Sequence, residues 1–247
     1  MIQIEICIDS VAGALAAERG GAHRVELCDN LFEGGTTPSA GCLRIARERC
    51  SLKIHSMVRP RGGDFLYSDL EFAVMREDVR VAKDLGADGV VFGLLTAAGE
   101  IDVPRTRELI ELARPLKVTF HRAFDVCRDA SRALEDLVGL GVERVLTSGQ
   151  EPTCLEGMET LAALHRQAAG RIIVMPGGGL SPRNVRRIVE GTGVQEVHLG
   201  ARARTESGME FRNPRVFMGG TLRPPEFVWG STDEAQVRTV AEVLQER

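Results

Sequence analysis

The sequence lacks the features that mark membrane-spanning or secreted proteins. No apolar stretch is long enough to cross a bilayer, and the first residues carry neither a basic segment nor a cleavable apolar core. The six cysteines are scattered without Cys-x-x-Cys spacing, so they do not form the pattern of a secreted disulfide framework. We therefore expect a soluble, cytoplasmic protein with reduced thiols and no membrane partner.

An excess of positive charge is also missing. The 247 residues include 31 Lys and Arg against 35 Asp and Glu, which gives a formal net charge of -4. This balance argues against nucleic acid or an anionic membrane surface as the main partner. The sequence has neither the spacing of a tetrahedral zinc site nor a His-Glu-x-x-His motif, so it indicates no zinc centre.

What the chain does contain is an internal repeat of helix-to-strand junctions. Four segments share a helix-ending glycine, a short turn and the start of a strand, and they begin at Gly21, Gly86, Gly141 and Gly193. Four further strands are predicted between them, at Gln3 to Asp9, Lys53 to Arg59, Lys117 to Arg122 and Arg171 to Met175. Eight strands alternating with helices predict an α/β protein, a single (β/α)8 TIM-barrel domain over residues 1–247. A doubly wound open sheet is the second choice.

Helix boundaries are marked by capping residues. Predicted helices run over Ser39 to Arg49, Asp102 to Ala113, Asp129 to Leu140, Leu155 to Ala169 and Thr232 to Gln245. Ser68 and Glu71 have the spacing of a capping box that opens another helix. Ser181 followed by Pro182 predicts an N-cap and a first-turn proline.

Residues 201–231, between the eighth strand and the last helix, are not required by a barrel. A loop of this length inside a compact domain usually has a functional or interfacial role. We expect it to fold over the barrel mouth or to dock on a neighbouring subunit of a homo-oligomer.

Alternation along the strands predicts a polar barrel interior. If Ile4, Ile6 and Ile8 face the helices, Glu5 and Cys7 face inward. The same division turns further polar or sulfur-bearing residues inward: Glu26, Cys28, His55, Met57, Arg59, Thr119, His121, Glu196 and His198. Branched apolar residues normally fill barrel interiors, so these groups need compensating partners. A structural network, such as Glu26 with His198 or Arg59, would account for single members, whereas the whole set favours a binding site at the C-terminal strand ends.

Two segments predict an anion site there. Arg59 and Arg61 flank Pro60 at the end of the third strand, before a flexible Gly62–Gly63 pair. The segment is either the edge of a site or a solvated surface turn.

Gly177, Gly178 and Gly179 follow the seventh strand, and Arg202 follows the eighth. TIM barrels often hold a phosphate or carboxylate at this position, although a tight turn also favours glycine.

The inward cysteines form a candidate metal site. Cys7 and Cys28 lie near the ends of neighbouring strands, which are about 4.8 Å apart. Two thiolates at that spacing suit a soft ion such as Cu(I), and Met57 offers a thioether. Buried cysteine also serves as a small apolar filler, so both interpretations stay open.

His121 is the candidate for acid/base catalysis, with Glu5 or Glu26 as a carboxylate partner. A histidine at a barrel strand end is well placed for proton transfer. It is equally compatible with a hydrogen-bonded interior histidine. If the catalytic interpretation holds, the chain is an enzyme that acts on a small phosphorylated or carboxylated metabolite.

Seven motifs occur along the chain from the first strand to the segment Phe211-Arg212-Asn213. They are residues 5–7 (EIC), 24–28 (RVELC), 33–39 (EGGTTPS), 59–65 (RPRGGDF), 118–125 (VTFHRAFD), 144–149 (RVLTSG) and 175–179 (MPGGG). In this combination the sequence resembles the CutC family. The resemblance implies a TIM barrel that belongs to the cytoplasmic copper homeostasis proteins, which are usually oligomeric.

The family's proposed copper-binding cysteines correspond to Cys7 and Cys28, so the resemblance implies copper as the bound ion. One departure is His198, where a sulfur- or serine-bearing sequence is expected in relatives. Two hypotheses therefore remain, a Cu(I)-binding homeostasis protein and an enzyme acting on a small anionic metabolite. The barrel architecture by itself does not choose a reaction.

Overall fold

The computed structural model describes residues 1–218 and 225–245. Eight parallel strands form the central sheet: β1 (Gln3–Ile8), β2 (Arg24–Leu27), β3 (Lys53–Met57), β4 (Gly89–Phe92), β5 (Lys117–Phe120), β6 (Arg144–Thr147), β7 (Ile173–Pro176) and β8 (Glu196–Leu199). Each strand from β1 to β6 pairs with the next, β8 pairs with β1, and an isolated parallel bridge between Gly177 and His198 joins β7 to β8. The predicted (β/α)8 TIM barrel is confirmed.

In the described ranges eight α-helices surround the strands: α1 (Val11–Arg19), α2 (Ala40–Arg49), α3 (Asp69–Asp84), α4 (Val103–Ala113), α5 (Ala130–Leu140), α6 (Met158–Ala168), α7 (Val185–Thr192) and α8 (Glu234–Gln245). Side-chain caps define several of their starts. Ser39, Asp102 and Asp129 each accept a hydrogen bond from the backbone N–H three residues later. Ser68 and Glu71 form both bonds of the predicted capping box.

Two predicted helix starts are wrong. The helix expected from Ser181 begins at Val185, because the Asn184 side chain accepts a hydrogen bond from the Ser181 backbone N–H at 2.8 Å and holds residues 181–184 in a turn. The helix expected from Leu155 begins at Met158. There the Glu156 carboxylate accepts hydrogen bonds from the Thr153 backbone and hydroxyl at 3.0 and 2.8 Å and stabilises a preceding turn.

Residues 201–231 are not a loop throughout. The strands β9 (Arg202–Glu206) and β10 (Val228–Thr232) form an antiparallel ribbon. Within this stretch residues 219–224, including Pro224, lie outside the described residues. Phe211 and Trp229 are exposed. Coverage of the barrel mouth, or contact with another subunit, stays a prediction.

The predicted division between outward and inward side chains is confirmed. Ile4, Ile6 and Ile8 are buried in the main apolar cluster between strands and helices. Cys28, Met57 and Val91 form a second, small cluster inside the barrel, against which Cys7 packs. Within the described ranges, no helix is both long and apolar enough to cross a membrane.

Candidate functional site

A network of buried ion pairs occupies the N-terminal half of the barrel interior. The Glu5 carboxylate accepts a hydrogen bond from Arg24 Nε, and its other oxygen lies 2.7 Å from His198 Nδ1. Glu196 accepts from Arg24 Nη2 at 2.6 Å and from Arg144 Nε at 3.0 Å. Burial alone would raise the pKa of Glu5, but the Arg24 charge and the His198 contact hold that pKa well below its ordinary value.

Two adjoining cavities open at the C-terminal ends of the strands. The mouth cavity measures about 240 Å³ and is lined by Cys7, Glu26, Glu33, Gly34, Met57, Arg59, Phe65, His121, Arg122, Leu146 and His198. The side cavity measures about 250 Å³, shares Cys7, Gly34, Arg122 and His198 with the first, and also contacts Gly177, Gly178, Gly179 and Arg202. The structure thus brings together most of the predicted site residues. Glu5 lines neither cavity and belongs to the ionic network beneath them.

Sheet register assembles a cluster of possible metal ligands. Cys7 on β1 is the register partner of Glu26 on β2, and Glu5 is that of His198 on β8. One donor atom from each of Cys7, Glu26 and His198 lies within 4.8 Å of the other two. The Cys7 and Cys28 sulfur atoms are 3.9 Å apart. Sulfur, nitrogen and oxygen donors therefore converge at one wall of the mouth cavity.

The two thiols differ in their electrostatics. The hydrogen bond with Cys28 and, to a smaller extent, the contact with His198 together lower the pKa of Cys7 to about 5 despite burial. The same hydrogen bond, together with burial, raises the pKa of Cys28 well above its ordinary value. The pair therefore consists of a thiolate on Cys7 and a thiol on Cys28 at neutral pH.

The other two donors also have shifted pKa values. Burial raises the pKa of Glu26 well above its ordinary value. Burial opposes the charged form of His198, but the Glu26 charge and the hydrogen bonds with Cys7 and Glu5 raise its pKa well above the usual value. A cationic His198 beside Cys7 stabilises the thiolate.

Sequence reasoning did not assign His198 as a ligand. Its inward orientation was visible, but its neighbours depend on closure of the barrel between β8 and β1. The structure places a ring nitrogen where a softer donor was expected, with His198 Nε2 at 3.7 Å from Glu26 Oε2. The only signal for this contact in the sequence is that Glu26 and His198 both occupy inward-facing positions of their strands.

Arg59, His121 and Phe65 form the opposite part of the mouth cavity. The Arg59 guanidinium donates to the carbonyl oxygens of Glu33, Gly35 and Gly63, each at 2.8 Å. The Phe65 ring lies 5.0 Å from the His121 ring and 5.1 Å from Arg59 Cζ. Burial and the Arg59 charge lower the pKa of His121 to about 3. Phe65 belongs to the motif at residues 59–65, but the sequence alone gives it no role at the site.

Two of the predicted anion-binding arginines already form ion pairs with carboxylates. Arg61 is half-exposed, lines neither cavity, and pairs with Glu71 at 2.5 Å and with Asp64 at 2.9 Å. Its anion-binding assignment therefore has no support at the mouth, because the turn after Pro60 directs the side chain towards α3. Arg202 lines the side cavity and donates through Nη2 to Asp9 at 2.9 Å, whereas its buried Nη1 has no partner among the described residues.

The glycine turn has a packing explanation. Gly178 and Gly179 have φ values of 124° and 72°, which side-chain-bearing residues rarely adopt. A Cβ atom at Gly178 would also lie 3.1 Å from Arg122 Nη1. Tight approach of Arg122 to this turn therefore accounts for glycine at 178, whether or not an anion binds.

Comparison with known proteins identifies the family. The CutC family model matches residues 2–203. The mouse copper homeostasis protein cutC homolog is 51% identical over 243 residues, 98% of this chain and 89% of that protein. The human homolog is 53% identical over 237 residues, 96% and 87% of the two chains. A CutC structure from Streptococcus agalactiae superposes with a TM-score of 0.77 at 37% identity, covering 81% of this chain and 98% of that one. This chain belongs to the CutC family.

Proposed function

We propose that this protein acts in copper homeostasis by binding Cu(I) at the barrel mouth through Cys7 and Cys28. The observation that carries the proposal is the 3.9 Å separation of the two sulfur atoms, with Cys7 in the lining of the mouth cavity and Cys28 buried beside it. Thiolates are the ligands that Cu(I) selects, and imidazole nitrogen also suits copper. Glu26 lies close enough to Cys7 to complete the donor set, and so does His198 once its ring has released a proton on metal binding. The names of the mouse and human relatives agree with this role.

Electrostatics support the same assignment. Metals bind the thiolate form of cysteine, so a lowered pKa removes the competition from protons at neutral pH. Cys7 meets this condition because its pKa is lowered to about 5. Cys28 would release its proton to the solvent when the metal binds.

The proposal extends to a reducing compartment, the cytoplasm. All six cysteines are free thiols, as the site requires. Self-association is the remaining part of the proposal, and the exposed Phe211 and Trp229 near the ribbon support it.

Anaerobic competition titration against a Cu(I) chelator tests the metal site. The wild type should bind Cu(I) stoichiometrically, and Cys7→Ser with Cys28→Ser should weaken binding by about 100-fold or more. Cys42→Ser with Cys127→Ser is the matched control, because both residues pack in or against the main apolar cluster and neither belongs to the small cluster around Cys28 and Cys7. Equal affinity of the wild type and the Cys7/Cys28 variant would mean that the two cysteines do not bind the ion and only fill space in the barrel interior.

The contribution of the harder donors is tested separately. His198→Gln should weaken Cu(I) binding by about 10- to 100-fold if the ring nitrogen is a ligand or directly stabilises one. An unchanged affinity would mean that the two sulfur atoms hold the ion without it. Circular dichroism and urea unfolding of the variant are needed beside this measurement, because His198 also contacts Glu5.

A further inference from the structure

Three buried polar atoms in the wall of the mouth cavity have no hydrogen-bond partner among the described residues. They are Glu26 Oε1, Arg59 Nε and His121 Nε2. The three side chains are only 2%, 5% and 4% exposed. Buried polar groups in folded proteins are almost always paired, so unpaired atoms that share a cavity indicate a missing ligand. Copper bound at the cysteines would leave Arg59 and His121 unpaired, because both are hydrogen-bond donors.

The tautomer of His121 follows from its local contacts. Its Nδ1 accepts a hydrogen bond from the Ala123 backbone N–H at 3.2 Å. In the neutral ring, the proton must then be on Nε2, which makes Nε2 a donor. The lowered pKa of about 3 agrees with a neutral ring. Arg59 supplies a second donor at Nε and a permanent positive charge.

The rest of this wall is apolar. The Phe65 ring contacts both donors, and Met57 and Leu146 also line the cavity. A volume of about 240 Å³ is small for a ligand pocket and suits a metabolite of a few carbon atoms. The complementary molecule therefore has a compact anionic head group and a short carbon body.

The donor count selects between anionic head groups. Two unpaired N–H donors match the two oxygens of a carboxylate, and one of them is charged. A phosphate dianion has three oxygens to satisfy and would lie in the same small cavity as the Cys7 thiolate. We propose that the mouth cavity binds a small organic carboxylate through Arg59 Nε and His121 Nε2, with its carbon body against Phe65.

This site uses donors that the copper proposal does not use. The cavity has the metal donors Cys7, Glu26 and His198 at one wall and the carboxylate donors at another. Glu26 lines the same cavity and its buried Oε1 is unpaired, so this oxygen can pair with a polar substituent of the ligand. A hydroxy or keto acid is therefore a better match than a plain aliphatic acid.

Binding to metal-free wild-type protein is measured by saturation-transfer NMR and calorimetry with lactate, pyruvate and benzoate, and with inorganic phosphate for comparison. His121→Asn is the informative variant, because asparagine can still accept from the Ala123 N–H but has no group at the Nε2 position. It should weaken carboxylate binding by about tenfold or more. Arg61→Gln is the matched control and should leave binding unchanged, because Arg61 lies outside the cavity.

Three results would overturn the carboxylate site: no saturable binding of any of the three acids, equal binding by His121→Asn, or tighter binding of phosphate. Urea unfolding of His121→Asn establishes that the variant is folded. The Cys7→Ser/Cys28→Ser variant separates the two proposals. It should lose Cu(I) and retain the carboxylate, so either site can fail without the other.

Discussion

The two halves of the barrel interior differ in how completely their polar groups are paired. In the N-terminal half, Glu5, Arg24, Arg144 and Glu196 form a charge-balanced network whose buried side-chain nitrogen and oxygen atoms all have partners within the described part of the chain, and only the neutral His55 beside them has an unpaired atom, Nδ1. At the mouth, Glu26, Arg59 and His121 each retain an unpaired buried atom.

This difference separates a structural role from a binding role. Unpaired polar burial is unfavourable, so a fold tolerates it mainly where a ligand or water supplies the missing partner. The lower network also orients the upper site, because Glu5 binds His198 at Nδ1 and leaves Nε2 facing Glu26. The paired network in the N-terminal half therefore also holds the side chains of the mouth in position.

Removing a member of the lower network should have the largest effect on stability. Glu196→Ala leaves the buried Arg24 and Arg144 without their shared carboxylate. Breaking a buried network in this way lowers the free energy of unfolding by about 3–5 kcal/mol. Urea denaturation measures the loss. Glu135→Ala, which breaks the surface pair with Arg171, is the control and should have a far smaller effect. Equal losses would remove the distinction between the network and an ordinary surface pair.

His121 should give the mouth a characteristic dependence on pH. Its pKa is lowered to about 3 in the folded protein by burial and by Arg59, whereas the unfolded chain has a value near 6.5. Below pH 6.5 the unfolded chain therefore binds a proton that the folded protein does not. Stability from this residue falls as the pH is lowered towards 3, with a slope approaching about 1.4 kcal/mol per pH unit.

Urea unfolding of wild type and His121→Asn between about pH 6 and pH 4 tests that slope. The variant should lose less stability than the wild type over this range. His55, with a pKa also lowered to about 3, contributes equally in both proteins. His198 has a raised pKa, so it is protonated in both states well below pH 6.5, and its stabilisation is lost only at higher pH. Parallel pH curves would contradict the neutral, buried state of His121.

The fold was predictable because its signals are local. Helix caps such as Ser39 and Asp129 and the repeated glycine junctions lie within short segments, and strand alternation identified which side chains face inward. Alternation also brought Cys7 and Cys28 together correctly. The ionic partners of Glu5 were harder to predict, because they depend on register and on barrel closure.

Other features depend on contacts between distant residues, which leave no periodic pattern in the sequence. Arg61 follows a proline turn, and only the position of Glu71 on α3 determines where its guanidinium binds. The ribbon formed by β9 and β10 pairs residues separated by more than twenty positions. It therefore lacks the two-residue turn from which a hairpin can be predicted. Both expectations, Arg61 at an anion site and a continuous loop over 201–231, rested on position along the chain alone.

Glu26→Gln should have the smallest effect on stability and so gives the sharpest contrast with Glu196→Ala. Burial raises the pKa of Glu26, and glutamine resembles the protonated acid in shape and polarity. We expect the free energy of unfolding to change by less than about 1 kcal/mol near pH 4, where the carboxyl is largely protonated in both states. As the pH rises from there towards the raised pKa, the wild type loses stability because only its unfolded chain releases the proton, and the variant does not. Cu(I) affinity should nevertheless fall, because an amide oxygen replaces a carboxylate in the donor cluster. A loss of stability as large as that of Glu196→Ala would instead place Glu26 in the structural network, and the mouth would then have no carboxylate free for a ligand.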